Sequence, residues 1–226
     1  MNTYSIILIV HVISGFTALF VGLVPMLSKK GSKLHNNSGW IYFWGMFGVF
    51  VTATIMFFFK PQKLLFLLLI GIFSFYQTFS GVRAVQYKKK QKPVAGIDWV
   101  AAVLVSITAL AMLGLGGYQV LEASVNLGVL YLVFGGVCLG TSGADLRYFW
   151  LRSQQTAPLK RFWLPPHATR MGGSYIATLT AFCVTNISFL PPLVVWLSPG
   201  VIGGIILSRV MRKLRRERAA QLQRKA

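Results

Sequence analysis

Acidic side chains are nearly missing from this chain: Asp98, Glu122, Asp145 and Glu217 stand against 23 lysines and arginines. Charged residues of both signs make up only 12% of the sequence, too few for a soluble globular domain or a disordered chain. Cysteine is scarce as well. Cys138 and Cys183 both fall inside apolar runs, where they form neither a disulfide framework nor a paired metal motif. Three histidines in all exclude two bis-histidine haems ligated within the chain, and no His-x-x-x-His or His-Glu-x-x-His pair occurs. Nucleophile triads, glycine loops for nucleotides, nucleic-acid motifs and a convincing internal repeat are absent.

What fills the sequence is hydrocarbon. Hydrophobic residues make up 55% of it, in runs long enough to cross about 30 Å of lipid at about 1.5 Å per helical residue. Seven such runs are expected as helices: 4–27, 40–59, 64–82, 99–118, 127–142, 172–190 and 193–208. The first lacks a basic leader and a small-residue cleavage site, so it reads as an uncleaved span. The fifth is short, but Gly136 and Gly140 give it the small-xxx-small spacing of close-packed membrane helices. Pro191 and Pro192 alone separate the last two runs. The chain therefore reads as an all-α, seven-helix membrane domain over 1–208 with a basic tail over 209–226.

Placing the charges between these runs gives an orientation. Lys60 and Lys63 are the only basic residues in one set of loops, and every other lysine and arginine falls in the alternate set or the tail. By the positive-inside rule the N-terminus is outside and the C-terminus inside a cytoplasmic (inner) membrane. A net charge of +19 spread this way argues against nucleic acid as a partner, since the basic residues alternate with apolar runs. The tail either anchors the topology or lies on anionic lipid, and the anchor is favoured because the tail lacks an inserting aromatic and leucine face. Glycine-rich faces suit internal packing or a homo-oligomer.

Ionisable groups within spans are costly, so each is a candidate for function. The sixth run, LPPHATRMGGSYIATLTAFCVTN, holds two of them, His167 and Arg170; His167, Met171, Ser174, Thr178 and Ala181 share one helical stripe, with Arg170 beside it and Asn186 beyond. His35, Asp98, Asp145 and His167 all map to the inner rim, each at a different helix. Two imidazoles and two carboxylates there could hold a divalent metal such as zinc or relay protons, while the simpler reading has Asp98 cap its helix and both aspartates balance neighbouring cations. His11 lies in the outer part of the first helix, followed by Gly15, Ala18 and Gly22 on one face, and a hydrogen bond to Asn186 is expected.

Three patterns resemble bacterial membrane proteins of domain-of-unknown-function family 2306. These are His11 in the first helix; His35 with Gly39 and Tyr42 after a basic turn; and His167, Met171, Ser174 and Tyr175 late in the chain. Arg170 stands where that pattern has an aromatic residue. The resemblance implies that the three histidines belong together; it implies no activity. Three functions are then expected to compete. The first is a redox protein holding one b-type haem or a metal ion through His35, His167, His11 or Met171. The second is a zinc-dependent intramembrane hydrolase. The third is a proton-coupled carrier with Gln77, Ser74, Thr178 and Asn186 along its path.

Overall fold

A computed structural model describes residues 2–89, 94–122, 124–154 and 164–223. Lys90, Lys92, Lys160 and Arg161 of the basic loops, and Arg224 and Lys225 of the tail, lie outside the described residues. The described residues form an all-α bundle: α1 (Thr3–Val21), α2 (Leu23–Leu27), α3 (Lys33–Phe59), α4 (Pro61–Lys89), α5 (Gly96–Glu122), α6 (Val125–Ser153), α7 (Leu164–Asn186) and α8 (Pro192–Gln223). Counting α1 and the single turn of α2 as one segment leaves seven long helices. Six are long and apolar enough to cross a membrane. The seventh, α7, is the one that carries His167 and Arg170.

Proline and glycine set the boundaries. Pro61 and Pro192 open α4 and α8, where a missing N–H costs nothing. Only Lys60 separates α3 from α4, so these two fold back on each other directly. Pro25 cannot donate to the carbonyl four residues back, and the first segment breaks at Gly22 instead of running on straight. Gly31 has φ of 81°, in the left-handed region glycine tolerates, and this turns the chain into α3. Ser32 then caps α3 by accepting from the His35 backbone N–H at 3.2 Å.

Several expected boundaries shift. The fifth helix is not short; α6 spans 29 residues, because its polar continuation past Ser142 stays helical under the cover of α4 and α5. The last turn is the segment 187–191, not two prolines alone, since α7 stops at Asn186. The tail is a continuation of α8 as far as Gln223, with no break at 208. Gly136 and Gly140 are exposed, and a Cβ on either would meet nothing within 4 Å. Close contact of α5 with α6 instead uses Gly128 and Gly135, whose added Cβ atoms would lie 2.7 Å from Val120 N and 3.0 Å from Met112 Cβ.

Three buried clusters hold the bundle. Phe73, Tyr76, Ala102, Val105, Ala109, Cys138 and Phe149 join α4, α5 and α6. Phe66, Leu69, Met112, Leu130 and Tyr131 do so nearer the opposite end. Ala18, Leu19, Tyr42, Met46 and Tyr175 join α1, α3 and α7, and a Cβ on Gly22 would lie 2.8 Å from both the Tyr42 and the Tyr175 rings. Cys138 and Cys183 are both free thiols.

Candidate functional site

His35 and His167 meet at one end of the bundle. Their rings lie edge to face with centroids 6.3 Å apart. The end of α2 at Leu27 explains how His35 is held. A helix leaves its last carbonyls without partners, and α2 is so short that Pro25 O and Met26 O are both free to accept. His35 Nδ1 reaches Pro25 O at 3.0 Å, and Lys30 Nζ reaches Pro25 O and Met26 O at 2.8 and 2.7 Å. Partial burial lowers the Lys30 ammonium from the ordinary lysine value.

His167 is held in the same manner. Its Nδ1 lies 2.8 Å from Gly81 O in the middle of α4. The missing side chain at 81 exposes that carbonyl and lets α7 come close; a Cβ there would lie 2.9 Å from Met171 Sδ. A carbonyl oxygen only accepts, so both histidines carry their proton on Nδ1 in the neutral form. The two Nε2 atoms are then lone pairs. This is the arrangement by which a metal-ligating histidine is oriented: one nitrogen donates to a fixed acceptor and the other faces the ion.

The two carboxylates do not join them. Asp98 receives Arg83 Nε at 2.6 Å and Arg83 Nη2 at 2.7 Å, and it accepts from Ala95 N at 2.8 Å. It therefore caps α5 and neutralises Arg83, as the simpler reading had it. Asp145 accepts from Arg170 Nη2 at 2.8 Å and from the Tyr76 hydroxyl at 2.6 Å. Among the described residues no group of three or more histidine, cysteine, aspartate or glutamate side chains is placed to hold an ion. The expected four-residue centre of His35, His167, Asp98 and Asp145 reduces to its two imidazoles, because each aspartate has an arginine closer to hand.

Arg170 explains why α7 is so polar. Its guanidinium also donates to Gln77 Oε1 at 3.3 Å and Thr141 O at 3.1 Å, so it ties α7 to α4 and α6 at once. A chain of hydroxyls follows: Thr78 Oγ1 to Ser174 Oγ at 2.6 Å, Ser174 Oγ to Tyr42 Oη at 2.7 Å, and Tyr42 Oη to Thr178 Oγ1 at 3.4 Å. Sequence reading named Thr178 but missed Thr78, the first hydroxyl of this chain. Its signal was the alternation of Ser74, Thr78 and Gly81 at helical spacing along α4.

His11 stands apart from the histidine pair. It does not bond Asn186, whose amide donates instead to Phe182 O and Thr185 Oγ1 within its own helix. His11 Nδ1 lies 2.9 Å from Thr52 Oγ1, a hydroxyl that gives its own proton to Gly48 O at 2.6 Å. Both His11 and Asn186 nevertheless line one cavity of about 440 Å³ among α1, α3, α4, α6, α7 and α8, together with Ser74 and Thr178. Gln77 is not among its lining residues; it serves Arg170. Comparison with protein-family models, with curated proteins and with solved structures returns no match.

Proposed function

We propose that this chain is a membrane redox protein that holds one iron ion, as b-type haem, between His35 and His167. The observation that carries this reading is the pair of Nδ1-anchored imidazoles, 6.3 Å between centroids, from two facing helices. Two neutral nitrogens are the protein's whole share of such a haem's ligation, whereas a bare zinc site asks for three or four ligands. Bound there, haem would supply one-electron transfer.

The chain's own residues would fix the centre without the metal. Pro25 O and Gly81 O set which nitrogen of each ring is free. Arg170 and Arg83 keep the two nearby carboxylates occupied, which gives less support to the hydrolytic zinc reading. A second reading, a soft metal ion with Met171 as a further donor, draws on the packing of Met171 Sδ against Gly81, one turn beyond His167. The resemblance to domain-of-unknown-function family 2306 rests on the same histidines. We orient the chain with its N-terminus outside, so that this centre sits at the cytoplasmic rim beside anionic lipid.

Purified protein, reconstituted with haem, tests the proposal by its visible spectrum and its iron content. A haem band that disappears in His35→Ala and in His167→Ala but persists in His11→Ala is the expected result. Copper or zinc at one equivalent with no haem band selects the second reading. Protein that takes up neither, or variants indistinguishable from the parent, overturns the centre.

A further inference from the structure

The cavity beside His11 belongs to no part of this centre. It is bounded by small residues that do not close on one another: a Cβ on Gly15 would come no nearer than 3.9 Å to Val49 Cγ2, and one on Gly71 no nearer than 4.0 Å to Ala53 Cβ. Elsewhere in the bundle glycine admits a neighbour to under 3 Å, as at Gly128 and Gly203. Here it leaves space. The walls are aromatic and thioether groups, with Phe16 against Phe182 at 6.1 Å and Phe134 against Trp196 at 6.0 Å, and with Met46 and Met56. About 440 Å³ lies within the size range of small-molecule sites.

The polar atoms around it decide the chemistry of an occupant. Ser74 Oγ donates to Ile70 O, Thr180 Oγ1 to Ile176 O and Thr185 Oγ1 to Ala181 O, so these hydroxyl protons are spent on their own helices. His11 is different. Thr52 Oγ1 lies 2.6 Å from Gly48 O and 2.9 Å from His11 Nδ1; with the hydroxyl proton on Gly48 O, the tautomer that completes the contact has His11 Nδ1–H donating. In that tautomer Nε2 is a lone pair on a ring that lines the cavity. An acyl chain would leave that acceptor unmatched in an apolar setting, whereas a hydroxyl donor would satisfy it.

We propose that this cavity binds a membrane-soluble quinol, its ring between the aromatic walls and one hydroxyl donating to His11 Nε2. The site does not depend on the metal reading and is testable on protein free of haem and metal. The 226-residue chain in detergent micelles is titrated calorimetrically with decylubiquinol, decylubiquinone and dodecanol. Saturable binding of the quinol, at least tenfold tighter than of the quinone or the alcohol, is expected. His11→Phe should weaken quinol binding tenfold or more, and His11→Gln, which restores an acceptor, should recover part of that loss. Gly71→Leu, which fills the space, should abolish binding; Ala177→Leu does the same from α7 if the first variant fails to fold. Equal affinity for quinol and quinone removes the hydrogen bond. Equal affinity for dodecanol makes the cavity a lipid-tail groove, and unchanged binding in the filled variants places the ligand elsewhere. Each of these results overturns the proposal.

Discussion

Arg170 and Asp145 form an ion pair at 2.8 Å between α7 and α6, with 13% and 18% of their side chains exposed. Its arginine lies in α7, the one long helix among the described residues not apolar enough to count as a membrane span. Arg170 can occupy α7 because Asp145, Gln77 and Thr141 O take its protons, and Asp145 can sit in α6 because Arg170 and Tyr76 satisfy it.

Replacing Arg170 leaves the Asp145 carboxylate with the Tyr76 hydroxyl but without its counter-charge. Arg170→Met is expected to destabilise the bundle by roughly 3–5 kcal/mol, and the double variant Arg170→Met with Asp145→Leu to recover most of that loss. Thermal unfolding in detergent, followed by circular dichroism, reads both. A double variant no more stable than the single would show that the arginine acts through packing alone.

The contact of Arg83 with Asp98 is two-pronged, at 2.6 and 2.7 Å, and lysine cannot reproduce the fork. Arg83→Lys should therefore cost measurable stability, of the order of 1–2 kcal/mol, although the charge is kept. Asp98→Asn should cost a similar amount or more, since it also weakens the acceptor that caps α5 through Ala95 N. Denaturant or thermal midpoints of the two variants, compared with the parent, check this.

Glycines of one helix are predicted to differ sharply in their tolerance. Gly135→Leu drives a side chain into Met112 and Leu113 and should destabilise by about 1–3 kcal/mol, while Gly136→Leu, with open space around it, should fall within about 0.5 kcal/mol of the parent. The comparison controls for helix propensity, because the two positions are adjacent. Gly22→Val should be more damaging still, as it meets Tyr42, Tyr175 and Ala18 O together.

The orientation is checked by reporter fusions. A cytoplasmic reporter is expected to be active after Gln223 and silent when inserted at Lys60, and a periplasmic reporter should give the reverse. The opposite pattern would place the paired histidines on the outer rim and leave the metal proposal otherwise intact.

Much of the fold was legible because membrane helices announce themselves by length and apolar composition, and the described residues form seven long helices. The nearness of His35 and His167 was legible too, from their shared depth. The fate of the aspartates was only partly so. Arg83 and Arg170 read as loop charges that set topology, yet both extend along helix ends and capture a carboxylate before any histidine can. His11 was paired with Asn186 on depth alone, but depth fixes no azimuth, and Thr52 on α3 lies on the side His11 faces. Backbone acceptors such as Pro25 O and Gly81 O carry no sequence signal of their own. They emerge only when a helix break or a bare glycine uncovers them.

Pro25 thus has a reach that its inert side chain would not suggest. Its backbone carbonyl, in the last turn of α2, is the acceptor that keeps the His35 proton on Nδ1. The end of the helix at Leu27 leaves that oxygen without a helical partner. A short helix's last turn thus decides which nitrogen of a distant imidazole is bare.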